Sequence, residues 1–197
     1  MTDISERVRI EDDTVLSSNK YVLRRVTFSW RRRDGRWQQN VREIFDRGNA
    51  AVILLYNSAK RTVVLTRQFR MPAFLNGYRE TLIEAAAGVL DDASPEERIR
   101  AEAEEETGYH VQQVRRIFEM FASPGALTEK LYFFVAEYEA ESKKGAGGGL
   151  EEEGEDIEVL ELEFDKALEM LADGRICDAK TAILLQYAQL HLFSVSS

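Results

Sequence analysis

The chain of 197 residues has a single cysteine, Cys177, so an internal disulfide is impossible. No apolar run approaches the length of a membrane span, and the first residues lack the basic-then-apolar pattern of a secretory signal peptide. These absences predict a protein of a reducing compartment, and we expect a cytoplasmic location. The only two histidines, His110 and His191, lie at unrelated positions, so we do not expect a histidine-based metal site.

Charge is unevenly divided along the chain. The formal net charge is −9, but residues 1–70 carry 15 Lys and Arg against 8 Asp and Glu, whereas residues 71–197 carry 11 against 27. The first part is therefore suited to holding an anion, and the second part to holding a metal cation. Judged by charge alone, two solvated faces with a chance bias explain the same numbers.

The pattern of apolar residues predicts a mixed α/β fold. Asp34 and Gly35 form a strong hairpin signal between two segments rich in aromatic and β-branched residues. Strands are predicted at residues 21–30, 36–45, 50–56, 62–69, 81–84, 115–121, 131–138 and 157–163, and helices in "FDKALEMLADG" and "DAKTAILLQYAQLHLF". Because these elements do not alternate regularly, the pattern favours a mixed sheet with helices on its faces. The segment "KKGAGGGLEEEGED" at residues 143–156 predicts a mobile loop.

A further helix is predicted at residues 95–107. Ser94 as the N-cap, Pro95 at the first helical position and Glu97 three residues after Ser94 match a capping box. Gly108 is the stop signal.

The last turns of this helix concentrate glutamates at the negative end of the helix dipole, where acids are disfavoured. Glu102, Glu105 and Glu106 are three or four residues apart and share one face, and each exposed like-charged pair costs about 0.2–0.5 kcal/mol. A divalent cation would reverse that cost, and Mg²⁺ prefers carboxylate oxygens. Considered by itself, the cluster is better explained as a solvated acidic helix end.

The segment "IEAAAGVLDDASPEERIRAEAEEETGYHV" resembles the Nudix box, the loop–helix–loop signature of the Nudix hydrolases. That signature runs glycine, a loop, an acid, then Arg-Glu-apolar-x-Glu-Glu-x-Gly-apolar. Gly88 matches the first glycine, and residues 102–109 match the second half in register. Ala101 stands in place of the usual arginine, which in the family holds a catalytic glutamate, and the loop after Gly88 is one residue shorter. Arg98 or Arg100 would have to substitute for that arginine.

Most of the chain, from about residue 21 to residue 190, is similar to the GDP-mannose pyrophosphatase branch of this family, which is closely related to the ADP-ribose pyrophosphatases. Segments such as "VREIFDRGNAAVILLYN", "TVVLTRQFR" and "FASPGALTEKLYFFVAEY" carry the similarity. It implies a Nudix-type α/β/α sandwich with a mixed sheet at residues 47–197. It also implies an N-terminal antiparallel sheet at residues 1–46, exchanged between the two subunits of a homodimer.

The function implied by the resemblance is Mg²⁺-dependent hydrolysis of the diphosphate bridge of a nucleoside diphosphate sugar, with Mn²⁺ as the alternative ion. GDP-mannose would give GMP and mannose 1-phosphate. ADP-ribose is the first competing substrate. A non-catalytic Nudix module that binds a nucleotide is the competing class, and Ala101 keeps it open.

The resemblance also implies the residues of the site. The metal ligands are the carbonyl of Ala87 and the carboxylates of Glu102, Glu106 and Glu155. Catalysis is assigned to Glu105, Glu106 and Glu155, where Glu105 binds a further ion and Glu155 is either a metal ligand or the general base. Glu152 and Glu153 are the alternatives to Glu155. The substrate-binding positions are Tyr21, Val41, Arg42, Glu43, Arg70, Ala87, Gly88, Val89, Glu106, Glu129, Gly154, Glu155 and Lys180.

The chemistry of these residue types suits a nucleotide. An arginine makes two charge-assisted hydrogen bonds to a diphosphate, an aromatic ring such as that of Tyr21 stacks on a base, and Glu43 can accept hydrogen bonds from an exocyclic amine or a ribose. Val41 and Gly154 depart from the basic and acidic residues of the relatives at these positions.

A cluster of arginines at residues 31–33 lies beside Trp30 and Trp37, a combination also found in nucleic-acid patches. Because the protein is acidic overall, we interpret the cluster as a basic hairpin tip. We therefore expect no nucleic-acid partner and no membrane partner.

Overall fold

The computed structural model describes residues 3–91 and 93–194, apart from the side chain of Glu153, and the chain divides into two compact units. The N-terminal unit comprises the chain up to Asn49 together with Met120–Lys130, and the larger unit comprises Ala50–Glu119 and the chain from Leu131 onward. Among the helices that are described, none is both long and apolar enough to cross a membrane.

Three antiparallel strands, β1 (Val8–Ser18), β2 (Val22–Arg31) and β3 (Trp37–Asp46), form the sheet of the N-terminal unit in the order β1-β2-β3. The predicted hairpin between β2 and β3 is confirmed, and Gly35 in its turn has a φ of 85°. Strand β1 was not predicted, because three consecutive acids interrupt its alternation and it has bulges near both ends. Val26 is the only buried side chain described in the three strands, so this sheet has almost no core of its own.

The second sheet is mixed, as the sequence predicted. Its strands are β4 Ala50–Asn57, β5 Thr62–Gln68, β6 Leu82–Glu84, β7 Ala86–Val89, β8 Arg115–Phe121, β9 Lys130–Glu137 and β10 Glu158–Glu163. The main strands follow the order β10-β5-β4-β9-β8, with β6 paired to β5 and β7 paired to β4. Strands β4 and β9 are parallel, whereas β10, β5, β6 and β7 pair antiparallel with their neighbours.

Helices cover both faces of this sheet. Strand β4 alternates between two cores: Ala50, Val52 and Leu54 pack with side chains of α3 (Phe164–Ala172) and α4 (Ala179–His191). Ala51, Ile53 and Leu55 pack on the other face with Ile99 and Ala103 of α2 (Pro95–Thr107). The predicted α/β/α sandwich is therefore confirmed. A strand buried on both faces is apolar throughout, which explains the composition of β4.

Helix α2 has the bounds that the sequence predicted. The Ser94 hydroxyl accepts a hydrogen bond from the Glu97 N–H at 3.3 Å, and the Glu97 carboxylate accepts one from the Ser94 N–H at 3.1 Å. Gly108 ends the helix with a φ of 77°, and its N–H donates to the carbonyl of Glu104 at 2.9 Å. A short helix, α1 (Met71–Leu75), was not predicted and begins directly after Arg70.

Candidate active site

The acidic turn of α2 is not a solvated helix end. Glu102 and Glu106 are only 5% and 1% exposed, whereas Glu104 is exposed and Glu105 is half-buried. Burying a carboxylate costs far more free energy than placing two like charges side by side on the surface, unless the buried charge is compensated. The packing of α2 therefore places two of the four acids where a compensating positive charge is needed.

Gly88 explains how the carboxylate of Glu102 can lie so close to strand β7. A Cβ atom built on Gly88 would overlap the carboxylate group of Glu102, so only a glycine leaves room for that group. Gly88, the first glycine of the box-like segment, is thus packed directly against Glu102.

Glu106 has properties that suit a metal ligand. Its Oε2 atom is buried and has no hydrogen-bond partner within the described part of the chain. The pKa of Glu106 is raised to about 8, chiefly by burial and also by the charges of Glu102 and Glu155, while the charge of Arg70 and the N–H of Ala87 act in the opposite direction. A cation beside this carboxylate would favour its ionised form.

The donors gathered at this point are oxygens, which is the chemistry that Mg²⁺ prefers. The Ala87 N–H acts on the Glu106 carboxylate, so the predicted ligand Ala87 lies beside it. Across residues 3–91 and 93–194, no three His, Cys, Asp or Glu side chains are gathered closely enough to hold a metal ion. The two buried carboxylates and the glycine cradle fit a divalent cation, and the full set of Ala87, Glu102, Glu106 and Glu155 stays a prediction.

Arg98 is one of the two arginines that could substitute for the usual arginine of the box. Its guanidinium forms an ion pair with the carboxylate of Glu102, one helical turn away, and the Arg98 side chain is only 25% exposed. The usual arginine of the box is absent at Ala101. Arg98 therefore supplies an arginine contact to a box glutamate from the same helix.

The loop at residues 143–156 is bound to the end of α2 by its backbone. The N–H groups of Gly148 and Gly149 donate to the carbonyls of Glu106 and Glu105 at 2.9 and 3.1 Å, and the Lys144 N–H donates to the Gly108 carbonyl at 2.8 Å. Carbonyls at a helix C-terminus need such partners. The glycine run that predicted mobility thus makes specific contacts with the acidic helix.

Glu155 is positioned by the same loop. Its Oε2 atom accepts a hydrogen bond from the Leu150 N–H at 3.0 Å, and a Cβ on Gly149 would overlap this carboxylate. Its charge contributes to the raised pKa of Glu106, so the two carboxylates interact. Gly154, directly before Glu155, has a φ of 74°. Glu152 is exposed, and the side chain of Glu153, the other alternative, lies outside the described residues.

Arg70 and Lys180, both predicted to bind substrate, meet at a buried carboxylate that the sequence analysis missed. Glu84 accepts a hydrogen bond from Arg70 Nε at 2.7 Å, and its other oxygen is 3.6 Å from Lys180 Nζ. Lys180 also pairs with Asp178 at 2.6 Å. The one available signal was a single acid in the otherwise apolar stretch "LIEAAAG".

The remaining predicted residues lie in the N-terminal unit, except Val89 in β7. The Tyr21 ring packs edge-on against Phe45, with 5.7 Å between ring centroids. Val41, Arg42 and Glu43 are exposed on β3. Glu129 is buried within the unit, and its carboxylate lies 3.1 Å from Arg47 Nε.

Comparisons with known proteins match nearly the whole chain. A model described as the NUDIX domain matches residues 46–181, and one described as the GDP-mannose pyrophosphatase NudK N-terminal domain matches residues 7–45. A GDP-mannose pyrophosphatase of Salmonella arizonae is 50% identical over 190 residues, covering 96% of this chain and 97% of the relative. A GDP-mannose pyrophosphatase of Escherichia coli O6:H1 is 49% identical over 188 residues, covering 95% and 97%.

A solved structure supports the fold alone. The crystal structure of an ADP compounds hydrolase superposes with a TM-score of 0.72 at 16% identity, covering 98% of this chain and 97% of that chain.

The contact between Gly88 and Glu102 generates a stability prediction. Gly88→Ala should lower the melting temperature, because overpacking typically costs about 1–3 kcal/mol and each kcal/mol shifts the melting temperature by roughly 2–4 °C in a chain of this size. Gly125→Ala is the matched control, since a Cβ there meets nothing within 4 Å and Gly125 has no positive φ. Calorimetry that gave equal melting temperatures for both variants would contradict the close contact.

Proposed function

Because the chain belongs to the Nudix hydrolase family, in the branch of the GDP-mannose pyrophosphatases, we propose that it hydrolyses GDP-mannose to GMP and mannose 1-phosphate. The observation that carries the proposal is the burial of Glu102 and Glu106 together, with one oxygen of Glu106 left without a partner in the described structure. That arrangement suits a cation site better than a salt-bridged scaffold. The names of relatives that are about half identical over nearly the full length support the substrate.

Nudix hydrolases generally use divalent metal ions, typically Mg²⁺. We assign Mg²⁺, with Mn²⁺ as the alternative, to the Ala87 carbonyl and the carboxylates of Glu102, Glu106 and Glu155, and a further ion to Glu105. When bound, the metal would neutralise charge on the diphosphate oxygens and make a nearby water more acidic.

The protein groups supply the remaining chemistry. Water adds to one phosphorus, the bridging P–O bond breaks, and the proton of the water passes to a base, for which Glu155 is the candidate. Glu155 interacts electrostatically with Glu106 and Arg70, which supports its assignment to this site. Arg70 and Lys180 are proposed to hold the diphosphate oxygens, because their charges can be shared with an anion.

The nucleotide is assigned to residues named by the resemblance. Tyr21, Val41, Arg42, Glu43 and Glu129 of the N-terminal unit are proposed to contact it, and Gly88, Val89 and Gly154 to line the substrate position in the larger unit.

A substrate panel with Mg²⁺ tests this function, with released monophosphates as the readout. GDP-mannose should be turned over with the highest kcat/KM, and ADP-ribose and other nucleoside diphosphate sugars more slowly. Turnover of ADP-ribose in preference to GDP-mannose would contradict the substrate. Binding of nucleotide sugars without any turnover would favour a non-catalytic module.

The metal ligands can be tested in the same assay. Glu102→Gln and Glu106→Gln should each lower Mg²⁺-dependent turnover by at least about a hundredfold, because each removes a charge from the cation site. Glu104→Gln is the control, since Glu104 is an exposed glutamate of the same helix that contacts His110. Normal rates in both buried variants would refute the assignment.

The role of Glu155 predicts a change in rate rather than in binding. Glu155→Gln should lower kcat by roughly 10²–10⁴-fold, the usual contribution of a general base, with a much smaller change in KM. Glu152→Gln and Glu153→Gln should have smaller effects, measured at saturating substrate and Mg²⁺. If Glu153 is the sensitive position, the base is shifted by two residues along the loop. If all three variants match the parent, the loop has no catalytic group.

We further propose a homodimer in the cytoplasm. The sheet of the N-terminal unit buries only Val26 among its described side chains, and Ile10, Val15 and Val41 are 63, 49 and 50% exposed, so a second copy of the chain would cover apolar surface. The exposed free thiol of Cys177 fits a reducing compartment. Sedimentation should show a dimer at micromolar concentration, and a monomer under those conditions would contradict the proposal.

A further inference from the structure

Glu84 is a buried carboxylate with no role in the chemistry described so far. It is 4% exposed at the end of β6, and each of its two oxygens faces a different cation. We propose that Glu84 is a positioning residue, which holds Arg70 and Lys180 at a fixed spacing for the diphosphate of the substrate. This inference rests on the proposed function of those two cations.

The contact with Glu84 leaves the two terminal nitrogens of the Arg70 guanidinium available for a ligand. Glu84 Oε1 takes the Nε–H of Arg70 at 2.7 Å, and no hydrogen bond from the two terminal nitrogens of Arg70 is found among the residues that the structure describes. The Arg70 side chain is 40% exposed and that of Glu84 only 5%. The carboxylate thus lies behind the arginine, whose outer nitrogens can make paired bonds to phosphate oxygens.

Lys180 has a second acidic neighbour besides Glu84. Lys180 Nζ lies 3.6 Å from Glu84 Oε2 and 2.6 Å from Asp178 Oδ1. A lysine side chain has several rotatable bonds, so two anionic neighbours restrict where its ammonium group can lie. Glu84 therefore acts on both cations at once.

Hydrogen bonds connect the backbone next to Glu84 with the start of α4. Asp178 Oδ2 accepts hydrogen bonds from the N–H and the hydroxyl of Thr181 at 2.9 and 2.7 Å. The Thr181 oxygen in turn accepts the N–H of Ala85, the residue after Glu84, at 2.8 Å. Thr181 is fully buried, so these bonds tie the strand segment of Glu84 to the start of α4.

The positioned cations belong to the same region as the acidic helix. The charges of Glu106 and Glu155 both act on Arg70, and the Ala87 N–H, three residues after Glu84, acts on Glu106. One short segment therefore connects the cation pair with the carboxylates assigned to the metal.

Glu84 could affect the ligand by charge repulsion or by positioning the two cations. These two effects predict opposite changes in ligand affinity when Glu84 is replaced. A carboxylate behind two cations repels an anionic ligand, so removing only its charge should tighten diphosphate binding. If its main effect is to hold the two cations in place, removing it should weaken binding, because the ligand must then order them itself. Glu84→Gln keeps the shape of the side chain and is the direct test, with Glu84→Ala as the second variant.

The experiment measures binding of a GDP-mannose analogue with a methylene group in place of the bridging oxygen, by calorimetry in the presence of Mg²⁺. Glu84→Gln should weaken binding about tenfold, and Glu84→Ala at least as much, in variants whose melting shows a cooperative folded state. Glu158→Gln is the matched control, because Glu158 forms a glutamate–arginine pair with Arg67 at 2.8 Å outside the proposed site; it should bind like the parent.

A double-mutant comparison separates positioning from a general structural effect. In a chain that already carries Arg70→Ala and Lys180→Ala, the further change Glu84→Gln should alter binding less than twofold, since Glu84 acts through those two residues. An equal tenfold loss in that background would overturn the inference, as would unchanged or tighter binding in the single variant. If Arg70→Ala and Lys180→Ala themselves bind normally, their proposed role fails. If they bind weakly while Glu84→Gln does not, only the inference about Glu84 fails.

Discussion

The burial of two glutamates from one helix against a single strand is the constraint on which the rest of this structure depends. A buried charge is tolerated only with compensation, and the chain supplies it in several small parts: the ion pair of Arg98 with Glu102, the Ala87 N–H near Glu106, and a raised pKa that lets Glu106 keep its proton. The helix thus gives up local stability at the point where we propose a cation site.

The sandwich makes that placement possible. Strand β4 is buried on both faces, so α2 on one side and α3 with α4 on the other are held by separate cores. The capping box at Ser94 and the left-handed Gly108 fix the length of α2, and its buried face includes Ile99 and Ala103 beside the two glutamates. The N–H groups of Gly148 and Gly149 donate to the carbonyls of Glu106 and Glu105, so the loop that carries Glu155 is bound to the acidic turn of α2.

Local signals explain why part of this architecture could be predicted from the sequence. Helix α2 was predicted with its observed bounds because its start and end depend on residues within one turn. Strand β7 was missed because "AAGV" has no alternation, although it contains the glycine that admits Glu102. Glu84 was missed for a different reason: its partners are Arg70 and Lys180, far away in sequence, and the meaning of a buried acid depends on such tertiary contacts. The resemblance to a known family named candidate site residues, whereas only the structure showed that Arg98 reaches the glutamate beside Ala101.

The net charge of the protein makes these short-range contacts decisive. A chain with a formal charge of −9 repels an anionic substrate at long range, and the two cations assigned to the diphosphate are partly neutralised by Glu84 and Asp178. Attraction between net charges is therefore a poor basis for recognition at this site. The Arg70 guanidinium, whose Nε is already bonded to Glu84, can instead donate directed hydrogen bonds over a few ångströms. Salt screens such short contacts less than it screens the long-range field of the net charge. A surplus of acids is thus compatible with binding a diphosphate, provided that the few cations are held in the right orientation before the substrate arrives.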